Sequence, residues 1–554
     1  MMRRHMLKSL LVLLVLAVPG VGTTLAQSKK ELRAGLRKDW NADQVKNWDR
    51  YVTEIARNSF QAVQEEDCSD FTFRRDAILN GNKITTQITN FGSISSPGNR
   101  ITDIVWNGLG YGYEFGPFVA AEIIDENRED PQSVPQIDAD GNIVVDADGD
   151  TVYVMHIVSD GLVSNGGERS PDNSEWWGWQ PIPCAQPVGN FEGLQVVDPF
   201  SDKIPTSDDR DADFDGKPDS WPKSWFNETL GEYVWPGALR QGASNADKEA
   251  MYFINDYNNK EFAYKPFFDD PVSKGLGLEI ETRLYQWVNP LAEDAIFLIY
   301  KVTNKSDKDL ENIIFGMWGD PHIGGPSNFQ DDLAFFDREL NMVFAWDDDG
   351  RSDIAGRPPG YFGYKFLESP GIGNEILDGV FFPGDGIDND GDGMVDESWT
   401  DGIDNDGDWD VDNDDVGVDG IPSTGDIGEG DGVPTAGSLF DITKPGEPNF
   451  EFTDIDESDQ IGLTSFTSPP FAGNNISNDE RVWGLVKPGK FDQAPEIPGD
   501  NVFIYGSGNF TLRAGQTQRF SIALILGENR KDLELNAETI QEIYDAGYVF
   551  AKPP

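Results

Sequence analysis

Two apolar runs, Leu278–Trp287 and Ala295–Thr303, lie close together in this sequence, and the polar turn Asn304–Asp309 leads from them into a third, Ile313–Trp318. Short runs rich in β-branched and aromatic residues, bounded by turn formers, read as antiparallel strands. The pattern recurs. Ile84–Asn90 alternates, Gly116–Ile124 is apolar throughout, Thr151–Val158 is rich in β-branched residues, and Asn501–Tyr505 and Arg519–Leu526 resume it late in the chain. Many short strands punctuated by Gly, Pro and Asn predict a mainly β chain built from antiparallel β-sandwich units.

Helical spacing is expected at the two ends. Near the start, Asn41 is a candidate N-cap with Gln44 three residues on, and Val45, Trp48, Val52, Ile55 and Ala56 recur on one face. Near the end, Leu533, Ala537, Ile540 and Tyr544 share a face, and Gly547 suits the position just past a helix. The chain therefore divides into a leader (1–26), an N-terminal helical segment (27–66), a β-sandwich-rich region (67–380), an acidic block (381–436), a second β-rich region (437–529) and a C-terminal helix with its tail (530–554).

The leader has the form of a secretory signal. Arg3, Arg4 and Lys8 precede the short apolar run Ser9–Gly22, and Thr24-Leu25-Ala26 places small residues for cleavage before Gln27. The run is shorter than the ~20 residues a spanning helix needs. Export to the cell surface or medium is expected, with no transmembrane segment after cleavage. With 98 Asp and Glu against 43 Lys and Arg, the net charge is −55, which argues against a nucleic-acid partner. An aromatic content of 12% argues against a disordered acidic tail, because such tails lack apolar surface to offset the entropy of ordering.

Three acidic segments share one spacing. Asp211, Asp213, Asp215 and Asp219 occupy positions 1, 3, 5 and 9 of a loop with Gly216 at 6 and Lys217 at 7. Asp388, Asp390, Asp392 and Asp396 repeat it, with Gly393, Met394 and then Glu397. A third copy runs Asp404, Asp406, Asp408 and Asp412, with Trp409 where glycine is expected. Alternate carboxylates in a tight loop can converge on one centre, and Ca²⁺ takes six to eight oxygens. Position 7 contributes a backbone carbonyl, so Lys217 and Met394 are compatible with it. The alternative is a solvated acidic linker. Against that stands the near-duplicate Asp-Gly-Ile-Asp-Asn-Asp-Gly-Asp, once from Asp385 and once from Asp401. The shorter segments Asp138–Asn142 and Asp146–Asp150 suit either calcium loops or hairpin turns.

These loops resemble the calcium repeats of thrombospondin type 3 modules, in which Asp-x-Asp-x-Asp-Gly loops hold structural Ca²⁺ without flanking EF-hand helices. More loosely, the chain resembles large surface proteins exported by Bacteroidota-like bacteria. The shared features are Asn-Gly-Asn near Asn80, Gly-Pro-Phe at Gly116, Asp219-Ser220-Trp221-Pro222, Asn536-Ala537-Glu538 and Ile543-Tyr544-Asp545. The resemblance implies an extracellular setting and structural calcium, and no particular activity.

Two further features bear on function. Trp176, Trp177 and Trp179, with Trp221, Trp225 and Trp235 after them, suit either a platform for sugar rings or a buried cluster. Cys68 and Cys184 suit either one disulfide or two separate thiols. Beyond the leader the only histidines are His156 and His322, and there is no His-Glu-x-x-His, Gly-x-Ser-x-Gly or phosphate-binding loop. The expected protein is thus a secreted, calcium-stabilised β-rich surface or matrix component without catalysis. The competing expectations are a carbohydrate-binding protein using the tryptophans, and a polysaccharide hydrolase or lyase on a large β-sandwich. Polysaccharide or other surface proteins are the partners these readings imply.

Overall fold

The computed structural model describes residues 71–370 apart from 96–102, 126–127, 129, 138–140, 148, 164–166, 183–184, 188–193, 197–202, 228–230, 237–245 and 338–339. Beyond these it describes two short strands at 376–381, parts of 411–448, and 461–548 apart from 473–475, 496 and 546–547. Two antiparallel sheets dominate. The six-stranded sheet uses β1 (Gly112–Ile124), β2 (Val134–Pro135), β3 (Tyr153–Asp160), β8 (Leu310–Pro321), β12 (Ser465–Thr467) and β13 (Phe503–Leu512), in the order β12-β13-β8-β1-β3-β2. The eight-stranded sheet uses β4 (Gln180–Pro181), β5 (Lys248–Asn255), β6 (Leu278–Gln286), β7 (Ala295–Asn304), β9 (Asp332–Asp337), β10 (Met342–Asp347), β11 (Tyr361–Glu368) and β14 (Thr517–Gly527). Its order is β9-β10-β11-β14-β7-β6-β5-β4. The mainly β, antiparallel sandwich expected from the sequence is the observed fold.

The hairpin expected from Leu278 onward forms with Leu278 opposite Asn304 and Tyr285 opposite Phe297. Strands that the sequence places on either side of the acidic block share both sheets. β14 lies between β11 and β7, with Ala295 opposite Ile525 and Phe362 opposite Leu526. β13 lies beside β8, with Met317 opposite Tyr505. The regions 67–380 and 437–529 therefore build one pair of sheets. Each late strand supplies hydrogen bonds to a strand that would otherwise be a bare sheet edge.

Alternation along each strand divides its apolar residues between an inner core and the outer faces of the sheets. Phe115, Val119, Phe315 and Met317 point between the sheets and meet Leu298, Tyr300, Phe362 and Phe520. Phe315 stacks on Phe520 across the interface at 4.1 Å between ring centroids, a contact worth about 0.5–1.5 kcal/mol beyond area burial. The opposite faces are covered as well, which is why so many strands read as apolar on both sides. Helix α2 (Arg530–Asp545) lays Leu533, Ala537, Ile540 and Tyr544 on Phe297, Ile299, Ala523 and Ile525 of the eight-stranded sheet. The stripe expected from the sequence is the buried one.

Helix α1 (Asp479–Val486) caps the six-stranded sheet through Val482, Trp483 and Val486 against Phe118, Val158, Ile314 and Trp318. It lies in a region assigned from sequence to strands, and the Asn478 side chain caps it by accepting a hydrogen bond from the Arg481 amide at 2.9 Å. His156 on β3 packs flat on Trp483 at 4.8 Å between centroids, and its Nδ1 lies 2.6 Å from Glu480 Oε2. Among the described residues, no helix is long and apolar enough to cross a membrane. The expected N-terminal helix and leader lie outside the described residues.

Candidate cation sites

The Asp211 loop folds as a compact turn around its own carboxylates. Asp211 Oδ1 accepts from the Asp215 amide at 3.0 Å and its Oδ2 from the Gly216 amide at 2.9 Å. Asp213 Oδ1 accepts from the Asp215 amide at 3.1 Å, and Asp219 Oδ1 from the Ala212 amide at 3.0 Å. Gly216 has φ +92°, a left-handed value that glycine adopts without strain, and it turns the chain around the acids. Asp211, Asp213 and Asp219 each bring one oxygen to within 4.8 Å of the others. Asp215 is not in that group; its Oδ1 accepts from the Lys217 amide at 2.9 Å. The Lys217 ammonium turns back to donate to the carbonyls of Pro218, Asp219 and Trp221 at 3.0, 3.2 and 2.9 Å, closing the end of the loop.

The loop stands on a rigid base. Trp221, Trp225 and Trp235 form a mutual cluster with centroid separations of 5.2–5.7 Å, packed on Met251 and Phe253 of β5. The Trp221 indole donates to the Thr206 carbonyl at 2.9 Å, tying the chain after the loop to the chain before it. These three tryptophans are core residues. Trp179 is fully buried (0% exposed) and offers no face to a surface platform. Trp176 is half-buried, with the Arg169 guanidinium 3.5 Å and the Arg74 guanidinium 4.7 Å from its ring centroid.

The remaining sequence candidates divide clearly. Asp388, Asp390, Asp392, Met394, Asp396, Glu397, Asp404, Asp406, Asp408 and Asp412 lie outside the described residues, as do Cys68 and Cys184. On either side of Asp148, which lies outside the described residues, Val145 is bridged to Thr151 and the Asp150 amide donates to Asp146 Oδ1 at 2.9 Å, a hairpin pairing.

Tertiary folding assembles two acidic groups with no counterpart in the sequence reading. Asp331, Asp347 and Asp349 converge at a surface turn, where Asp349 also pairs with Arg351 at 3.1 Å and Asp347 accepts from Asn328 Nδ2 at 2.8 Å. The run Asp347-Asp348-Asp349-Gly350 was a usable signal for it. Glu168, Glu261 and Asp479 converge in the interior and come from three distant segments.

Glu168 sits on a small hairpin between β3 and β4, held by the Arg169–Trp176 bridge and by the Trp177 amide donating to the Glu168 carbonyl at 3.2 Å. Gly178 ends that hairpin at φ +81°, where a Cβ would strike the Asp160 carbonyl oxygen. Glu261 lies in the loop after β5, and Asp479 is the first residue of α1. Asp479 Oδ2 accepts from the Val158 amide of β3 at 2.7 Å, which fixes α1 against the sheet. Burial, with Asp479, Asp160 and Glu261 nearby, holds the Glu168 carboxyl well above the usual range. Burial and Glu261 do the same for Asp479, and burial pushes the adjoining Asp160 up to about 7.

No protein-family profile matches this chain, and no curated protein matches it. Among solved structures, an amine oxidase from Aspergillus nidulans aligns over 82% of this chain at 9% identity, with a TM-score of 0.24. The aligned part spans 51% of that enzyme's length, and a likeness this slight carries no argument about fold or activity.

Proposed function

We propose that this is an exported, calcium-stabilised β-sandwich protein that serves as a surface or extracellular-matrix component. The observation that supports this reading best is the Asp211 loop. A spacing legible in the sequence folds into a turn that holds Asp211, Asp213 and Asp219 oxygens within 4.8 Å of one another. Such oxygens repel until a cation neutralises them, and a hard, oxygen-seeking cation suits an all-carboxylate donor set. The signal-like leader and the repeated acidic spacing at Asp388 and Asp404 support the same reading.

Calcium here is a structural ion in this proposal, with affinity in the extracellular range of roughly 10⁻⁴ to 10⁻³ M. The test is calorimetric titration of the chelator-treated chain with Ca²⁺, paired with thermal melts. Saturable binding in that range with a rise in Tm supports the proposal. Absence of both heat and shift would reduce the acidic loops to solvated turns.

A further inference from the structure

The interior carboxylates Glu168, Glu261 and Asp479 belong to no motif, and their surroundings differ from those of the surface loops. Glu168 is 6% exposed and Asp479 is 3% exposed. Among the described residues no N–H or hydroxyl donor reaches either Glu168 oxygen, Glu261 Oε2 or Asp479 Oδ1. An ionised carboxylate buried without a partner costs several kcal/mol, and Glu168 stands beside a second buried carboxylate, Asp479, and the half-buried Glu261. Of the nearby cations, Arg169 at the cavity wall lays its guanidinium over the Trp176 ring at 3.5 Å, and that of Arg74 lies over the Phe91 ring at 4.2 Å.

We propose that Glu168, Glu261 and Asp479 form an interior binding site for a hard divalent cation, calcium foremost, which fastens the Glu168 hairpin and the start of α1 to the six-stranded sheet. Each residue directs one carboxylate oxygen into a group no wider than 4.8 Å, and the donor set is all oxygen, which selects a calcium-class ion over a thiolate- or imidazole-seeking one. A cavity of about 500 Å³ opens beside the carboxylates, lined by Glu168, Arg169, Asn173, Trp177, Glu261 and Ser477. It gives the ion a way in and room for the waters that complete its shell. The site shares no residue with the Asp211 loop and stands or falls separately from it.

Trp177 lines that cavity and carries no oxygen donor in its side chain, so it can act as an energy donor to a lanthanide without being a ligand. The experiment uses the chelator-treated full chain with Tb³⁺ as probe, excited through tryptophan, and a parallel count of bound Ca²⁺ by equilibrium dialysis. The double variant Glu168→Gln/Glu261→Gln should lose one bound Ca²⁺ and the Tb³⁺ emission that Trp177→Phe also removes. Trp177→Phe should keep the full ion count. Asp211→Asn/Asp213→Asn should lose a different ion and leave the Trp177-dependent emission in place. An unchanged ion count in the Glu168→Gln/Glu261→Gln protein would overturn the proposal and leave a proton-sharing acid cluster. Should that variant not fold, the wild-type and Trp177→Phe pair decides alone, because emission indifferent to Trp177 places no ion in the cavity.

Discussion

Arg283 on β6 and Glu249 on β5 form a buried ion pair, with Nη1 2.6 Å from Oε1 and the carboxylate fully buried. The other Glu249 oxygen accepts from the Trp235 indole at 2.6 Å, and Arg283 also donates to the Pro236 carbonyl at 2.8 Å. The pair thus joins the outer face of the eight-stranded sheet to the tryptophan cluster beneath the Asp211 loop. Glu281 Oε1 also holds Arg283 Nε at 2.6 Å, so losing Glu249 leaves the guanidinium charge paired but takes the acceptor from Nη1 and from the Trp235 indole. Glu249→Ala is expected to cost about 1–3 kcal/mol by urea unfolding, and a loss below about 0.5 kcal/mol, the range of a surface substitution, would contradict this account.

The tryptophan cluster predicts a contrast within one region. Trp225→Ala should cost about 3–5 kcal/mol, because the ring is fully buried against Trp221 and Trp235. Phe214, 89% exposed at the tip of the neighbouring loop, should tolerate alanine within about 0.5 kcal/mol. Denaturant midpoints of the two variants compare them directly. Equal losses would mean that the tryptophans are not the base on which the loop stands.

Asp320 on β8 makes stability depend on pH. Burial, with Asp500, Glu114 and Asp103 nearby, pushes its carboxyl up to about 8. The folded chain therefore keeps a proton that the unfolded chain releases near pH 4. Its contribution is complete below that ordinary value and is lost as the pH rises toward about 8. Asp320→Asn keeps the shape without the ionisation, so its melting curves should lose part of the decline between pH 5 and 8 seen for the wild type. Parallel pH profiles for the two proteins would refute the assignment.

Calcium should stabilise the chain by mass action. One site with a dissociation constant of roughly 0.1–1 mM adds about 1.4–2.7 kcal/mol at ~10 mM Ca²⁺. Asp211→Asn/Asp213→Asn should remove that increment while changing the apo protein little, since relieved repulsion among the acids offsets the hydrogen bond from the Gly216 amide that an asparagine at 211 cannot accept on both side-chain atoms. Thermal melts with and without Ca²⁺ measure it. A double variant with an undiminished Ca²⁺ response would assign the effect to other carboxylates.

Strands β1, β3, β6, β7, β8, β13 and β14, the α2 stripe and the Asp211 turn were legible in the amino-acid order because each rests on short-range geometry, whereas β5, β9, β10 and β11 were not singled out. β-Branched runs between turn formers mark strands, Leu533, Ala537, Ile540 and Tyr544 mark one helical face, and the loop's carboxylates lie within nine residues of one another. Helix α1 was not legible. Its eight residues are too few to hold a helix unaided, and it forms because Val482, Trp483 and Val486 are buried on the six-stranded sheet.

Tertiary structure alone decided which strands became neighbours. No local signal places β14 between β11 and β7, or β13 beside β8, because those pairings depend on which edges are left open after the earlier strands have paired. It also decided the fate of the tryptophans, since a sequence shows apolar area but not the surface that will cover it. The meeting of Glu168, Glu261 and Asp479 follows from the same cause: a hairpin, a loop and a helix start are brought together by the sheets that carry them, and no spacing along the chain encodes their distance.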